Sequence, residues 1–158
     1  MTAKEQLKEK FKEYLCMAER PCRDCKPNNC GKNNLNLPVV FCADKIFFGY
    51  KMHNKLRHCD EIVLCDTASR NMGIYCIEHK GGNPKNFDLE HIRDQLQGGA
   101  DIVCSHMLSD EKVEFSPVLV SKRGEVVPSL PSIAPTVVFK GAEYRIEDVK
   151  IGEELKPL

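Results

Sequence analysis

Asp60, Glu78 and Lys80 are the residues of this chain whose types and spacing could do chemistry together. In a β-strand, residues two apart share a face. In the segment GIYCIEHK, Ile74, Cys76, Glu78 and Lys80 therefore point one way, and Tyr75, Ile77 and His79 the other. The first face is apolar and then ends in an acid and a base. The upstream segment CDEIVL can pair with it as an antiparallel hairpin, because TASRNMG between them carries turn-forming residues. With the loop centred near Ser69, Asp60 falls opposite Glu78, Ile62 opposite Cys76 and Leu64 opposite Ile74. One register thus aligns the apolar residues and brings the two carboxylates together, with opposed Cβ atoms about 4.5–5.5 Å apart. A slip of one residue would turn the whole set to the other face.

Two carboxylates at that separation repel unless a proton or a cation sits between them. A hard cation such as Mg²⁺ takes oxygen ligands at about 2.0–2.1 Å and keeps several waters, and Mn²⁺ suits the same carboxylate and water ligands. Such a cation polarises a phosphoryl oxygen and lowers the pKa of a bound water. A neighbouring lysine orients that water or stabilises charge developing on the phosphate. The expected chemistry is phosphodiester hydrolysis. The competing reading is an ion-pair group at the edge of a sheet.

The elements that must position these residues follow from periodicity. Leu7, Phe11, Tyr14, Leu15 and Ala18 make an apolar stripe that predicts a helix over 3–20, with Thr2 and Glu5 as a capping box and Pro21 as its stop. Residues 21–37 are rich in Asn, Cys, Pro and Gly and read as a loop. Strand-like text follows in VVFCADKIFFGY, CDEIVLCD and GIYCIEHK. Leu89, Ile92, Leu96, Ala100, Val103 and Met107 predict a second helix over 88–108, in which Gly98 and Gly99 mark either a break or close packing on a sheet. VEFSPVLVS, a Pro-rich loop, TVVFK and a short unit around YRIEDVKI complete the chain. The order predicts an α/β domain, a central mixed sheet flanked by helices. At 158 residues the chain is expected to form a single domain, 1–158.

Asp60 in CDEIV followed by Glu78 and Lys80 in IEHK resembles the D…(D/E)-x-K signature of the PD-(D/E)XK nuclease superfamily. Gln95, with Gly99 four residues on, resembles the glutamine on the helix that follows this motif in several of its families. The resemblance spans roughly Val39 to Val120 as an order of elements. Its specificity comes from context: an E-x-K at a strand end, after an Asp-led strand and before a Gln-bearing helix. Cys59 departs from the pattern, standing where the motif has proline. The resemblance implies a restriction-endonuclease-like core, Asp60 and Glu78 as metal ligands, Lys80 as the base facing water or phosphate, and Gln95 as a supporting polar residue. In that superfamily a glutamate on the first helix often completes the site, which points to Glu19 rather than Glu13.

The 23 basic and 23 acidic side chains cancel, so the chain lacks the net positive charge that advertises nucleic-acid binding; such contacts must come from local clustering. From Lys45 to His58 there is no acidic residue, while Lys45, Lys51, His53, Lys55, Arg57 and His58 fall there, and Lys85 follows the motif. A basic patch beside a carboxylate pair suits a polyanion; a solvated loop is the plain alternative. Phe47, Phe48 and Tyr50 read as core residues, and the histidines, without paired ligand spacing, mostly as surface residues.

Of nine cysteines, Cys22, Cys25 and Cys30 form C-x2-C-x4-C in a loop too polar to pack, with Cys16 or Cys42 as a fourth thiolate. Zn²⁺ or an iron–sulfur cluster takes four such ligands; free or disulfide-bonded cysteines are the alternative. Cys59, Cys65, Cys76 and Cys104 lie in apolar patterns and read as small core residues. A charged N-terminus and the lack of any apolar run of about 20 residues lead to the expectation of a cytoplasmic protein without a membrane partner. The expected activity is that of a Mg²⁺- or Mn²⁺-dependent deoxyribonuclease in repair, recombination, restriction or viral DNA processing. RNA is the other substrate class, and a homodimer is compatible with this reading. The alternative function is a non-catalytic module on a nuclease-like scaffold, binding nucleic acid or protein, with a Cys-bound structural metal.

Overall fold

The capping box read at Thr2 and Glu5 starts the first helix, α1 (Ala3–Lys10). The Thr2 hydroxyl accepts from the Glu5 N–H at 3.2 Å, and the Thr2 N–H donates to Glu5 Oε2 at 2.7 Å. The helix stops well short of residue 20. Leu7 and Phe11 are already buried, and Phe11 packs edge-on against Phe41 at 5.7 Å. The chain then tightens into a 3₁₀ turn at Lys12–Tyr14, and Leu15 bridges Phe41 in antiparallel fashion. The structure, a computed structural model, describes residues 1–16, 35–50, 57–107, 111–128 and 134–158.

The strand expected through residue 50 divides into β1 (Asn36–Cys42) and a short helix, α2 (Ala43–Gly49). The reason is spacing: Ala43, Ile46 and Phe47 recur as one helical face, and all three are buried. That turn leaves Phe48 on the outer side, 64% exposed, and Tyr50 36% exposed, so only Phe47 of the three aromatics is core.

Five strands form a mixed sheet in the order β1, β2 (Glu61–Asp66), β3 (Met72–Lys80), β4 (Val113–Ser121), β7 (Glu147–Lys150). The first three are antiparallel neighbours, and β3, β4 and β7 run parallel. Parallel neighbours need a long crossover, which the helix α3 (Leu89–His106) supplies between β3 and β4. Pro117 is tolerated inside β4 because pairing with β7 begins only at Val118. A hairpin of β5 (Thr136–Phe139) and β6 (Ala142–Arg145) turns at Lys140 and Gly141, both at positive φ (49° and 79°). It is tied to α3 by the Gln97 amide, which bonds both the N–H and the carbonyl of Val138 at 2.8 Å.

The fold is thus α/β, with a five-stranded mixed sheet and three α-helices among the described residues. Alternation along β2 and β3 builds two separate apolar layers. On the front, Ile62, Leu64, Ile74 and Cys76 pack with Ile92, Leu96, Ala100 and Val103 of α3 and with residues of α1 and α2. On the back, Val63, Cys65, Tyr75 and Ile77 pack with Val118, Val120, Val149 and Leu155. Gly98 and Gly99 do not break α3; they bring it close. A Cβ at Gly98 would stand 1.8 Å from the Arg57 carbonyl oxygen, and one at Gly99 would stand 2.4 Å from the Cys59 sulfur. Among the described residues no helix is long and apolar enough to cross a membrane.

Candidate active site

The β2–β3 ladder has the register read from the sequence, with Ile62 opposite Cys76 and Leu64 opposite Ile74. Its regular pairing ends at Glu61 opposite Ile77. Asp60 lies one residue beyond and is held by different bonds. Its N–H donates to the Ile77 carbonyl at 3.0 Å, and its Oδ2 accepts from the His79 N–H at 2.7 Å. Those two groups flank Glu78, so Asp60 is held beside Glu78, outside the regular pairing of the two strands. The Asp60 carbonyl accepts from the Ala43 N–H at 3.1 Å, so the start of α2 fixes it from the other side.

Glu78 is 2% exposed, at the end of a strand whose preceding residues are all buried. Lys80, two residues on and on the same face, brings Nζ to 3.1 Å from Glu78 Oε1 while its side chain stays 28% exposed. The ammonium therefore touches both the buried acid and solvent. Beneath them, the Cys59 thiol is pushed well up by its hydrogen bond with Cys76 and by burial, with the negative charges of Glu78 and Asp60 adding to the effect. Cys59 is therefore a protonated, inert packing residue against Gly99. Cys65 and Cys76 are buried too, and Cys104 is partly buried against the same front core.

Gln95 reaches the site through α3. Because β3 and β4 are parallel, α3 runs back antiparallel to both. Gly99 rests against Cys76. One turn towards the helix N-terminus, about 6 Å, leads to Gln95, and two residues along β3, about 6.6 Å, lead from Cys76 to Glu78. The two steps are of similar length, so Gln95 lies on the part of α3 towards the end of β3 that carries Glu78. Its Oε1 is buried and has no hydrogen-bond partner among the described residues.

Asp60, Glu78 and Lys80 are therefore brought together, and Gln95 lies on the helix that packs over their sheet. Glu19, Cys22, Cys25 and Cys30 lie outside the described residues. Cys16 is half-buried, and its N–H donates to the Val40 carbonyl at 2.9 Å. Cys42, weighed as a fourth thiolate, is instead disulfide-bonded. Among the described residues no group of three or more His, Cys, Asp or Glu side chains could hold a metal. Of the basic run, Lys51, His53 and Lys55 are outside the described residues. Lys45 is exposed, Arg57 Nη1 lies 3.6 Å from Asp94, and His58 Nε2 lies 3.3 Å from Asp44. Arg57 and His58 thus each face an acid, while Lys85 is exposed in the turn after β3.

One polar group escaped the sequence reading. His79 is not a surface residue: it is 7% exposed, and its Nε2 lies 2.7 Å from Oε1 of the fully buried Glu61. The signal was present in the hairpin register. The alignment that opposes Asp60 and Glu78 puts Glu61 opposite Ile77 on the reverse face, with His79 its diagonal neighbour.

Comparison with protein-family models, with curated proteins and with solved structures found no match.

Proposed function

We propose that the chain is a Mg²⁺- or Mn²⁺-dependent nuclease of the PD-(D/E)XK kind, hydrolysing phosphodiester bonds in DNA. The observation that carries this is Asp60 held beside Glu78, its N–H on the Ile77 carbonyl and its carboxylate on the His79 N–H, with Lys80 against Glu78. The order β1-β2-β3-α3-β4, an antiparallel meander followed by a crossover helix and a parallel strand, supports a restriction-endonuclease-like core.

The donor set suits a hard cation. Two carboxylates and the unpartnered amide oxygen of Gln95 are all oxygen donors, and Mg²⁺ is commonly held by one or two carboxylates with waters completing its shell. When bound, the cation supplies Lewis acidity to a phosphoryl oxygen and acidifies water. Asp60 and Glu78 hold the cation, and the burial of Glu78 strengthens its electrostatic influence. Lys80, part-exposed, offers N–H donors to the phosphate as negative charge grows on it. Gln95 Oε1 accepts a hydrogen bond from water and fixes its orientation.

The test is incubation of the purified protein with duplex, single-stranded and branched DNA, and with RNA, in Mg²⁺ or Mn²⁺. Cleavage is expected with metal, none in chelator, and a loss of about 100-fold or more in Glu78→Gln. No cleavage of any substrate, or a Glu78→Ala variant that cuts like wild type, overturns the proposal. The Lys80–Glu78 pair at 3.1 Å favours a second reading, a structural ion pair on a non-catalytic binding scaffold. In that reading the cysteine loop, ordered by Zn²⁺ or an iron–sulfur cluster, and the basic run hold nucleic acid or protein. DNA binding that survives Asp60→Ala, without metal-dependent cleavage, distinguishes it.

A further inference from the structure

Behind the candidate site, the same strand ends carry a second polar pair. The Glu61 and His79 side chains are 0% and 2% exposed, and Glu61 Oε1 and His79 Nε2 are 2.7 Å apart. Their places in the chain matter. Glu61 follows Asp60, and His79 sits between Glu78 and Lys80. The His79 main-chain N–H is also the group that holds Asp60 Oδ2.

We infer that Glu61 and His79 act as positioning residues, a clamp through the back of the sheet that keeps Asp60 and Glu78 at the spacing a divalent cation requires. The inference rests on the nuclease reading above. Regular ladder pairing stops at Glu61, so beyond that point other bonds must keep the two strand ends in register. The imidazole–carboxylate bond lies there, and it fixes the peptide group that donates to Asp60. A buried polar pair is weak evidence for stability, because an apolar pair of similar volume is often as stabilising or more so. Orientation is what such a pair supplies and an apolar pair does not. Mg²⁺ demands near-ideal geometry at about 2.0–2.1 Å, so small displacements of either carboxylate weaken binding. The clamp touches neither substrate nor metal; it acts through Asp60 and Glu78.

The test measures Mn²⁺ binding to the full chain by titration calorimetry, with the melting temperature recorded beside it. Wild type is expected to bind Mn²⁺ and Glu78→Gln to lose most of that binding. The double variant Glu61→Leu/His79→Leu removes the pair and fills the space. It is expected to bind Mn²⁺ about 10-fold or more weakly, in the range seen for groups behind metal ligands, while melting no lower than wild type. His79→Gln keeps an N–H donor towards Glu61 and is expected to bind close to wild type. A wild type that binds no Mn²⁺ overturns the nuclease reading and this inference with it. A double variant that binds like wild type overturns the inference alone. So does one that fails to fold, which would make the pair a determinant of the fold, or a His79→Gln variant as weak as the double.

Discussion

The two faces of the β2–β3 hairpin end in opposite ways. On the back, Glu61 and His79 close on each other, buried and bonded at 2.7 Å, beside a layer covered partly by the C-terminal residues. On the front, Glu78 and the neighbouring Asp60 bring two acids to one strand end, Lys80 is partly open to solvent, and the buried Gln95 oxygen has no partner among the described residues. A long helix covers this face, brought close by Gly98 and Gly99. The same register produces both ends. The difference is one of chemistry: the back sets one imidazole against one carboxylate and leaves the imidazole Nδ1 buried without a partner among the described residues, while the front gathers oxygen acceptors. A bonded pair out of reach of solvent suits a scaffold; gathered acceptors suit a cation.

The comparison can be broken most forcefully from the back. Glu61→Ala leaves the buried His79 imidazole without this partner at a cost of about 1–3 kcal/mol, and the cavity left by the deleted side chain adds about 2 kcal/mol or more. Urea denaturation should show that loss. A variant with wild-type stability would mean that the pair is not closed in solution. Next comes the helix on the front. Gly98→Ala would push a Cβ into the Arg57 backbone, which cannot swing aside like a side chain. A loss of about 3 kcal/mol, the upper end of the usual overpacking range, is expected. That holds although alanine improves helix propensity by about 1 kcal/mol. Gly81→Ala, with nothing within 4 Å of the added Cβ, is the control and should change stability by less than about 0.5 kcal/mol. The third test is the cation. At 100 times its dissociation constant, Mn²⁺ should raise the unfolding free energy by about 2.7 kcal/mol, read as an upward shift in melting temperature. Glu78→Gln should abolish the shift, and chelator should reverse it.

How much of this was legible in the sequence depended on where each partner lies. The β2–β3 register could be read because the apolar alternation and the turn constrain it together, and α3 because Ile92, Leu96, Ala100 and Val103 keep one period over about three turns. The ends of α1 and α2 could not. Phe11 stops α1 by packing on Phe41, and α2 is too short for its period to stand out from the strand text around it. Gly98 and Gly99 were ambiguous because what they approach, the backbone at Arg57 and the sulfur of Cys59, comes from another segment. His79 was misplaced for a related reason. Alternation assigns a polar residue to a face, but not whether that face is covered. Burial of the back face depends on strands and a C-terminal segment far along the chain, such as Val149 and Leu155.

The smallest expected effect lies in the middle of the back face and asks whether that face is one unit or two. Tyr75 is 1% exposed, and its hydroxyl donates to the Lys156 carbonyl, tying the C-terminal residues over β3. Burial pushes the Tyr75 phenol well above its ordinary value, with the neighbouring Cys65 adding to the effect, so the donor keeps its proton throughout the neutral range. Tyr75→Phe removes this bond and leaves the ring packing in place. Lys156 is exposed, so water can replace the lost donor at its carbonyl, and the loss should be about 1 kcal/mol in urea denaturation, typical of one hydrogen bond. Tyr75 and His79 are four residues apart on the same face, with Ile77 between them in the apolar layer. If the clamp at the strand ends works locally, Tyr75→Phe keeps wild-type Mn²⁺ affinity despite its lower stability. If Mn²⁺ binding weakens with it, the C-terminal tie and the Glu61–His79 pair form one mechanical unit, and the whole back face, not its polar end alone, sets the spacing of the carboxylates in front.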